Sequence, residues 1–238
     1  MSDEKLSISL ITPTYNEREN IPLLAEEIFS ILEPYPEIDL ELIVVDDNSP
    51  DKTGEVAECL KSQYPVQVIH RPGKLGLGSA VMEGFQLSHR PYLGVIDADL
   101  SHDPAILPVL IRQLRETDLM IGSRYTPQSI VENWPWYRKR ISEVGVFFAR
   151  QLTGVKDPLS GYFCLRRVVL NDLQLTSSGY KILLEILVKG QYEKVREVPF
   201  TFRNRQFSSS KLNMKEYLLF LKQLSYFTLL KVVRKIKT

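Results

Sequence analysis

The stretch Gly94–Pro104 reads GVIDADLSHDP. An apolar run ends abruptly in two carboxylates separated by one alanine, and a proline follows at a position suited to the first turn of a helix. That is the signature of a strand, a polar exit and a helix. Two negative charges at the end of a buried strand need a positive partner. One reading is a divalent cation, with Asp97 and Asp99 on one side of an extended chain and the small Ala98 letting a ligand approach. The other is a solvated loop with two surface acids.

The same punctuation recurs upstream. SISLIT (Ser7–Thr12) leads into TPTYNE, LELIVVD (Leu40–Asp46) into DDNSPD, and VQVIH (Val66–His70) into RPGKLGLG. Helical patterns over Glu19–Glu33, Thr53–Gln63, Gly76–Ser88 and Pro104–Glu116 alternate with these strands, and DLMIGS (Asp118–Ser123) adds another. Strand–helix alternation with apolar strands predicts a mainly parallel α/β sheet covered by helices on both faces. Ligands of such sheets bind at the carboxyl ends of the strands. All four polar exits lie there.

The second half is less regular. Tyr125–Arg140 reads as a loop rich in Pro, Trp and Arg, followed by a helix over Ile141–Thr153. Asp157–Arg167 reads as a turn into a strand, Ser178–Gly190 as a helix, and Val195–Arg205 as a strand that Pro199 demotes toward an edge. No repeat or low-complexity linker divides the chain, so its 238 residues are read as one domain over 1–212 with a C-terminal helix over 213–238.

Thirty basic and 29 acidic residues leave a net charge of +1, which gives no overall pull toward nucleic acid. Cys59 and Cys164 stand far apart and read as reduced core residues of a cytosolic protein. The three histidines, His70, His89 and His102, lack metal-ligand spacing. No nucleophile-elbow pattern appears, which argues against acyl-transfer hydrolysis. The N-terminus does not read as a signal peptide, and no apolar run is long enough to span a bilayer.

Individual exits keep two readings each. Asp51 reads as a helix-capping residue, whereas the Asp47 carboxylate is placed to accept hydrogen bonds from a base edge. GKLGLGSA resembles a phosphate loop without matching one; its glycines serve equally to pack a helix start, and Lys74 is within reach of an anionic ligand. Arg124, Arg138, Lys181, Arg205 and Lys211 form a scattered cationic set, in which Arg124 stands out because it leaves an apolar strand at the carboxyl edge. The helix at Tyr217–Lys237 is nearly apolar, with Lys231, Arg234, Lys235 and Lys237 at its end. It suits a membrane interface with snorkelling lysines, or packing on its own domain or a partner. Trp134 and Trp136 are further interface candidates.

The ordered set PTYNERENI, VVDDNSPDKTGEVAE, GLGSA, DADLSHDP, GSRY, DPLSGYFCLRR, EVPFTF and RNRQFSSSK, spanning Ile8–Lys211, resembles the inverting family 2 glycosyltransferases of GT-A fold. Within that family it is most similar to the branch that makes polyprenyl-phosphate sugars, the dolichol-phosphate mannose synthases among them. The resemblance implies a Rossmann-like GT-A domain, a nucleotide-sugar donor (GDP-mannose first) and a polyprenyl or dolichyl phosphate acceptor. By motif match Pro13, Tyr15, Glu17, Val45 and Asp47 contact the nucleotide, and Asp97 and Asp99 hold Mg²⁺ or Mn²⁺ with Ala98 close by. Arg124, Arg205 and Lys211 address phosphates, with Asp99 among the catalytic set. Lys74, Arg138 and Lys181 complete the substrate-binding set. Ser101 stands where relatives carry Gln or Ser. The family's tail usually runs R-x-x-G-x-S-K, and here Ser208 replaces the glycine, which strains the loop if that position has positive φ.

The expected place is peripheral, on the cytoplasmic face of a membrane, with or without a membrane-anchoring partner subunit. Three alternatives stay open: a UDP-sugar donor of the glucose type, a non-phosphate acceptor such as a glycan or diacylglycerol, and a non-catalytic sugar-nucleotide-binding subunit.

Overall fold

The computed structural model describes residues 5–132, 136–176, 181–203 and 220–229. Its centre is a seven-stranded sheet built from β1 (Leu6–Thr14), β2 (Ile38–Asp46), β3 (Val66–His70), β4 (Tyr92–Val95), β5 (Leu119–Ser123), β7 (Phe163–Arg166) and β8 (Val195–Pro199). The strand order is β3-β2-β1-β4-β7-β5-β8, and all neighbours run parallel except β7, which is antiparallel to both β4 and β5. A two-stranded ribbon pairs β6 (Ile130–Val131) with β9 (Thr201–Phe202).

Side-chain alternation along the strands fills both faces. Leu10, Leu42, Val44, Met120 and Cys164 point to one side, against Ile21, Leu24 and Ile28 of α1 (Asn20–Leu32) and Leu107, Leu110 and Ile111 of α4 (Leu107–Gln113). Their neighbours Ile11, Ile43, Val45, Ile121 and Phe163 point to the other, against Val81 and Phe85 of α3 (Leu77–Leu87) and Leu183 and Ile186 of α6 (Ile182–Lys189). The period of two thus makes a sheet buried on both faces, as parallel sheets require. α2 (Thr53–Leu60) packs along β3. Cys164 lies in the core as expected, but Cys59 is on the outward face of α2 and exposed, which corrects its core reading.

α5 (Trp136–Thr153) starts five residues earlier than the sequence pattern predicts. Tyr, Arg and Lys carry no strong bar to helix, so the WYRKR run joins the first turns instead of staying loop. The expected strand at Val195–Arg205 is two short pieces, β8 and β9. Pro199 ends β8, an edge strand as the proline implied. The C-terminal helix is described over 220–229, where Phe227 is buried in a cluster with Val146, Ala149, Leu159 and Leu184. That stretch docks on α5 and α6.

Candidate active site at the carboxyl edge of the sheet

β1 and β2 stay in register up to Thr14 opposite Asp46, and β2 and β3 up to Asp46 opposite His70. The ladder continues one residue further, through Asp47 N–H to Thr14 O (3.0 Å) and Arg71 N–H to Asp46 O (2.9 Å). Residues next in line after three strands therefore leave the sheet side by side.

Asp47 lies there, buried. Its carboxylate accepts from Arg71 Nη1 and from Gly76 N–H (3.0 Å). Arg71 is itself buried and donates from Nε to Glu83 (2.9 Å) and from Nη2 to Ser79 Oγ (2.7 Å). The base-edge role expected of Asp47 is thus overlaid by an internal ion pair. Arg71 is the residue sequence reasoning missed, because an arginine is presumed solvated until a buried carboxylate claims it. Gly76, at φ +100°, is what lets the loop turn its amide onto Asp47. Lys74 lies over the Tyr15 ring, 3.8 Å from its centroid, so these two expected residues meet.

Pro13 pairs opposite Val45 at the end of β1 and is half-buried. Glu17 accepts from Asn20 Nδ2 (2.6 Å), while its amide donates to Thr53 Oγ1 (2.9 Å). Val45 requires a correction: it has 0 % exposure and belongs to the core, so its side chain presents no surface to a nucleotide. Asp46 stays internal, accepting from Ser49 N–H (3.1 Å). Asp51 accepts from Thr53 N–H (3.0 Å), serving the start of α2 as the sequence suggested.

β4 ends at Val95, so Asp97 and Asp99 lie in the turn beyond it and not on a strand. This corrects the one-face expectation. Leu100 takes φ 59°, and that left-handed residue folds the turn back. The two carboxylates consequently have different surroundings. Asp97 is the open one, with 28 % of its side chain exposed. Asp99 is buried and accepts at Oδ1 from Ser101 N–H (3.1 Å) and Ser101 Oγ (2.5 Å). Ala98 is nearly buried in the core.

His102 packs under this turn, entirely enclosed, and its Nδ1 accepts from Asp97 N–H (3.2 Å). The ring proton therefore sits on Nε2, and the 3.7 Å approach of Nδ1 to Asp97 Oδ2 is not an ion pair. Burial pushes the imidazole pKa down, outweighing the upward pull of Asp97 and Asp99.

The antiparallel β7 completes the edge. Because it runs against β4 and β5, the turn before it arrives where they exit. Gly161 in that turn faces Asp97: a Cβ there would stand 3.0 and 3.2 Å from the carboxylate oxygens. The missing side chain leaves room beside the exposed carboxylate. Among the described residues no group of three or more Asp, Glu, His or Cys side chains gathers as a metal cluster. Two carboxylates with open space beside one of them fit a cation that takes its remaining ligands from phosphate and water, as Mg²⁺ does.

Asp157, in the same turn, was not singled out from sequence. It is fully buried and grips Arg124 through Nε (2.8 Å), Nη2 (2.9 Å) and the backbone amide (2.9 Å). Burial works against both charges, yet the pair overcomes it: the Asp157 carboxyl is held below its usual range and the Arg124 guanidinium is raised. The structure thus gives Arg124 a carboxylate where a substrate phosphate was expected. Glu197 of β8 accepts from the amides of Lys156 and Asp157, both at 2.8 Å, fixing the turn from behind. Lys181, just before α6, adds positive potential at Asp157. Arg205, Ser208 and Lys211 lie outside the described residues, as do Trp134 and the Arg138 side chain.

Comparison with known proteins fits this edge to a family. The family model described as "Glycosyl transferase family 2" matches residues 9–173. The chain is 46 % identical over 222 residues to a protein of Pyrococcus furiosus named dolichol-phosphate mannosyltransferase, covering 90 % of this chain and 62 % of that one. It is 39 % identical over 229 residues to the Saccharomyces cerevisiae protein of the same name, covering 92 % and 86 %. Among solved structures, glucosyl-3-phosphoglycerate synthase from Mycobacterium tuberculosis, in complex with Mn²⁺, UDP and glucosyl-3-phosphoglycerate, superposes with a TM-score of 0.65 at 21 % identity, covering 94 % of this chain and 78 % of that one. That likeness speaks for the GT-A fold. With the family model matching well over half the chain, this protein belongs to glycosyl transferase family 2.

Proposed function

We propose that this chain transfers mannose from GDP-mannose to a polyprenyl or dolichyl phosphate, with inversion at the anomeric carbon. The Asp97–Asp99 turn at the centre of the carboxyl edge carries this reading: it is the place on that edge built to meet a diphosphate. The 46 % identity to the Pyrococcus furiosus relative supports the choice of sugar and lipid.

A Mg²⁺ or Mn²⁺ held by Asp97 and Asp99 would neutralise the departing nucleoside diphosphate. Ser101 keeps Asp99 turned into the site, and Gly161 keeps the space beside Asp97 clear. Tyr15 and Lys74 offer a ring and a cation where the donor's base and phosphates enter. The Arg71–Asp47 pair stiffens that entrance. Arg205 and Lys211, with Lys181 and Arg138, are assigned to phosphates of donor and acceptor. An acceptor phosphate is already anionic near neutral pH, so its oxygen attacks the anomeric carbon as the bond to the diphosphate breaks, without a strong general base. Arg124 and Asp157 shape the wall of the site.

The direct test is transfer of labelled sugar from GDP-mannose or UDP-glucose to a short polyprenyl phosphate, with Mg²⁺, Mn²⁺ or EDTA. Metal-dependent product in the lipid phase from GDP-mannose is the expected result. Product from UDP-glucose in its place would overturn the donor assignment.

We assign the enzyme to the cytoplasmic surface of a membrane. Among the described residues no helix is long and apolar enough to cross one. Supporting surface attachment, α5 turns Trp136 (80 % exposed), Arg140, Val144, Phe147 and Phe148 outward along one stripe, and helix 220–229 exposes Leu221, Tyr226 and Leu229. Apolar and aromatic groups beside a basic residue suit a headgroup boundary. Phe147→Ser/Phe148→Ser is expected to cut co-sedimentation with anionic vesicles by about tenfold, from the apolar area of two rings. Equal pelleting of both forms would point to a membrane-anchoring partner subunit on this face.

A further inference from the structure

The β1–β4 ladder stops at Ile96, whose amide donates to Ile11 O (3.1 Å). The next amide, that of Asp97, turns to the His102 ring five residues downstream. A side chain thus replaces the neighbouring strand at the point where the chain leaves the sheet. The ring sits among Tyr162 (5.3 Å), Phe200 (5.6 Å) and Phe202 (5.6 Å). His102 also bridges Phe202 through the backbone, and Ser101 O accepts from Arg203 N–H (2.9 Å). Between the two anchors lies Leu100, in the left-handed region, a conformation that persists only where its surroundings enforce it.

We propose that His102 is a positioning residue for the Asp97–Asp99 turn: its Nδ1 fixes the Asp97 backbone so that both carboxylates hold the spacing a divalent cation and a nucleoside diphosphate require. The aromatic walls supply rigidity, and Nδ1 supplies the acceptor. Without Nδ1 the Asp97 amide loses this acceptor beside the aromatic box, and the turn relaxes. The inference rests on the metal-dependent transferase reading above.

The test uses Mn²⁺ as probe, followed by the paramagnetic signal of the free ion, with the full chain and saturating GDP. His102→Phe keeps the ring and removes the acceptor. His102→Asn carries Oδ1 close to the place of Nδ1, whereas His102→Gln carries its acceptor one carbon too far. The expected result is a rise of about tenfold in the Mn²⁺ dissociation constant for the Phe and Gln variants, and less than threefold for Asn. GDP binding in EDTA should be the same in all. If His102→Phe fails to fold, the Asn–Gln comparison decides. Wild-type Mn²⁺ affinity in the Phe or Gln variant, or equal loss in Asn and Gln, would overturn the role of Nδ1 while leaving the transferase reading intact. No Mn²⁺ binding by the wild type would remove that reading, and this inference with it.

Discussion

Replacing Arg124 by methionine lowers the melting temperature by roughly 10 °C. The reason is what stays behind. Asp157 is fully buried, and Arg124 supplies two side-chain hydrogen bonds and the balancing charge. Breaking a buried pair on one side costs about 3–5 kcal/mol, because the other charge is stranded; for a chain of this size each kcal/mol is worth about 2–4 °C. Arg124→Met/Asp157→Leu should recover part of the loss, since no charge then remains buried. Thermal unfolding of the two variants measures this, and a fall under about 2 °C in the single variant would show that Asp157 does not depend on Arg124. The pair also sets an acid limit. The folded Asp157 carboxyl lies below its usual range, so its contribution is complete above the unfolded value of about 3.9 and is lost as pH falls through the lower folded value. Arg124 stays charged throughout. Stability should therefore drop on acidification in the wild type and less steeply in the double variant.

Asp97→Asn is expected to cost at least about a hundredfold in transfer, the scale of losing one group that stabilises developing charge in a transition state. The substitution keeps the shape and removes the charge at the more open carboxylate. Its melting temperature should stay within a few degrees of wild type, so a loss of activity reads as chemistry. Calorimetry supplies the second readout: GDP binding should no longer respond to Mn²⁺ in the variant. A variant that still turns over at wild-type rate would remove Asp97 from the metal site. Asp99 is the less clean target, because it is buried and its Oδ1 accepts twice from Ser101, so that truncation to alanine would release Ser101 together with the charge.

The four polar exits were legible because buried strands are apolar runs, and a carboxylate or glycine ends such a run visibly. What sequence could not show was the partnership of charges far apart. Asp157 and Arg124 are 33 residues apart, and Arg71 and Asp47 meet only because β2 and β3 exit together. Asp157 and Arg71 alone read as ordinary surface charges, and Arg124 and Asp47 read as groups for a ligand. The direction of β7 was equally hidden, since an apolar run such as Phe163–Leu165 fits a parallel or an antiparallel neighbour, and only the pairing with β4 and β5 decides. The placement of Asp97 and Asp99 on one face of a strand failed for a local reason: β4 ends at Val95, before the pair, and the apolar run through Ile96 gives no compositional warning of the stop.

The reversed strand also bears on the order in which the molecule forms. Once synthesis has reached Val95, the strands β3, β2, β1 and β4 can already lie against one another, each beside its final neighbour. β5 is made next but has no place in that sheet, because the strand that separates it from β4 is still to come. Only when Phe163–Arg166 has emerged and threaded between them do the two halves join. Long-range pairings of this kind are late and slow. A nascent chain held between Ser123 and Phe163 exposes the open flank of β4 and a solitary apolar β5, the surfaces most prone to aggregate. The wall of the candidate active site is thus among the last parts of the protein to be assembled.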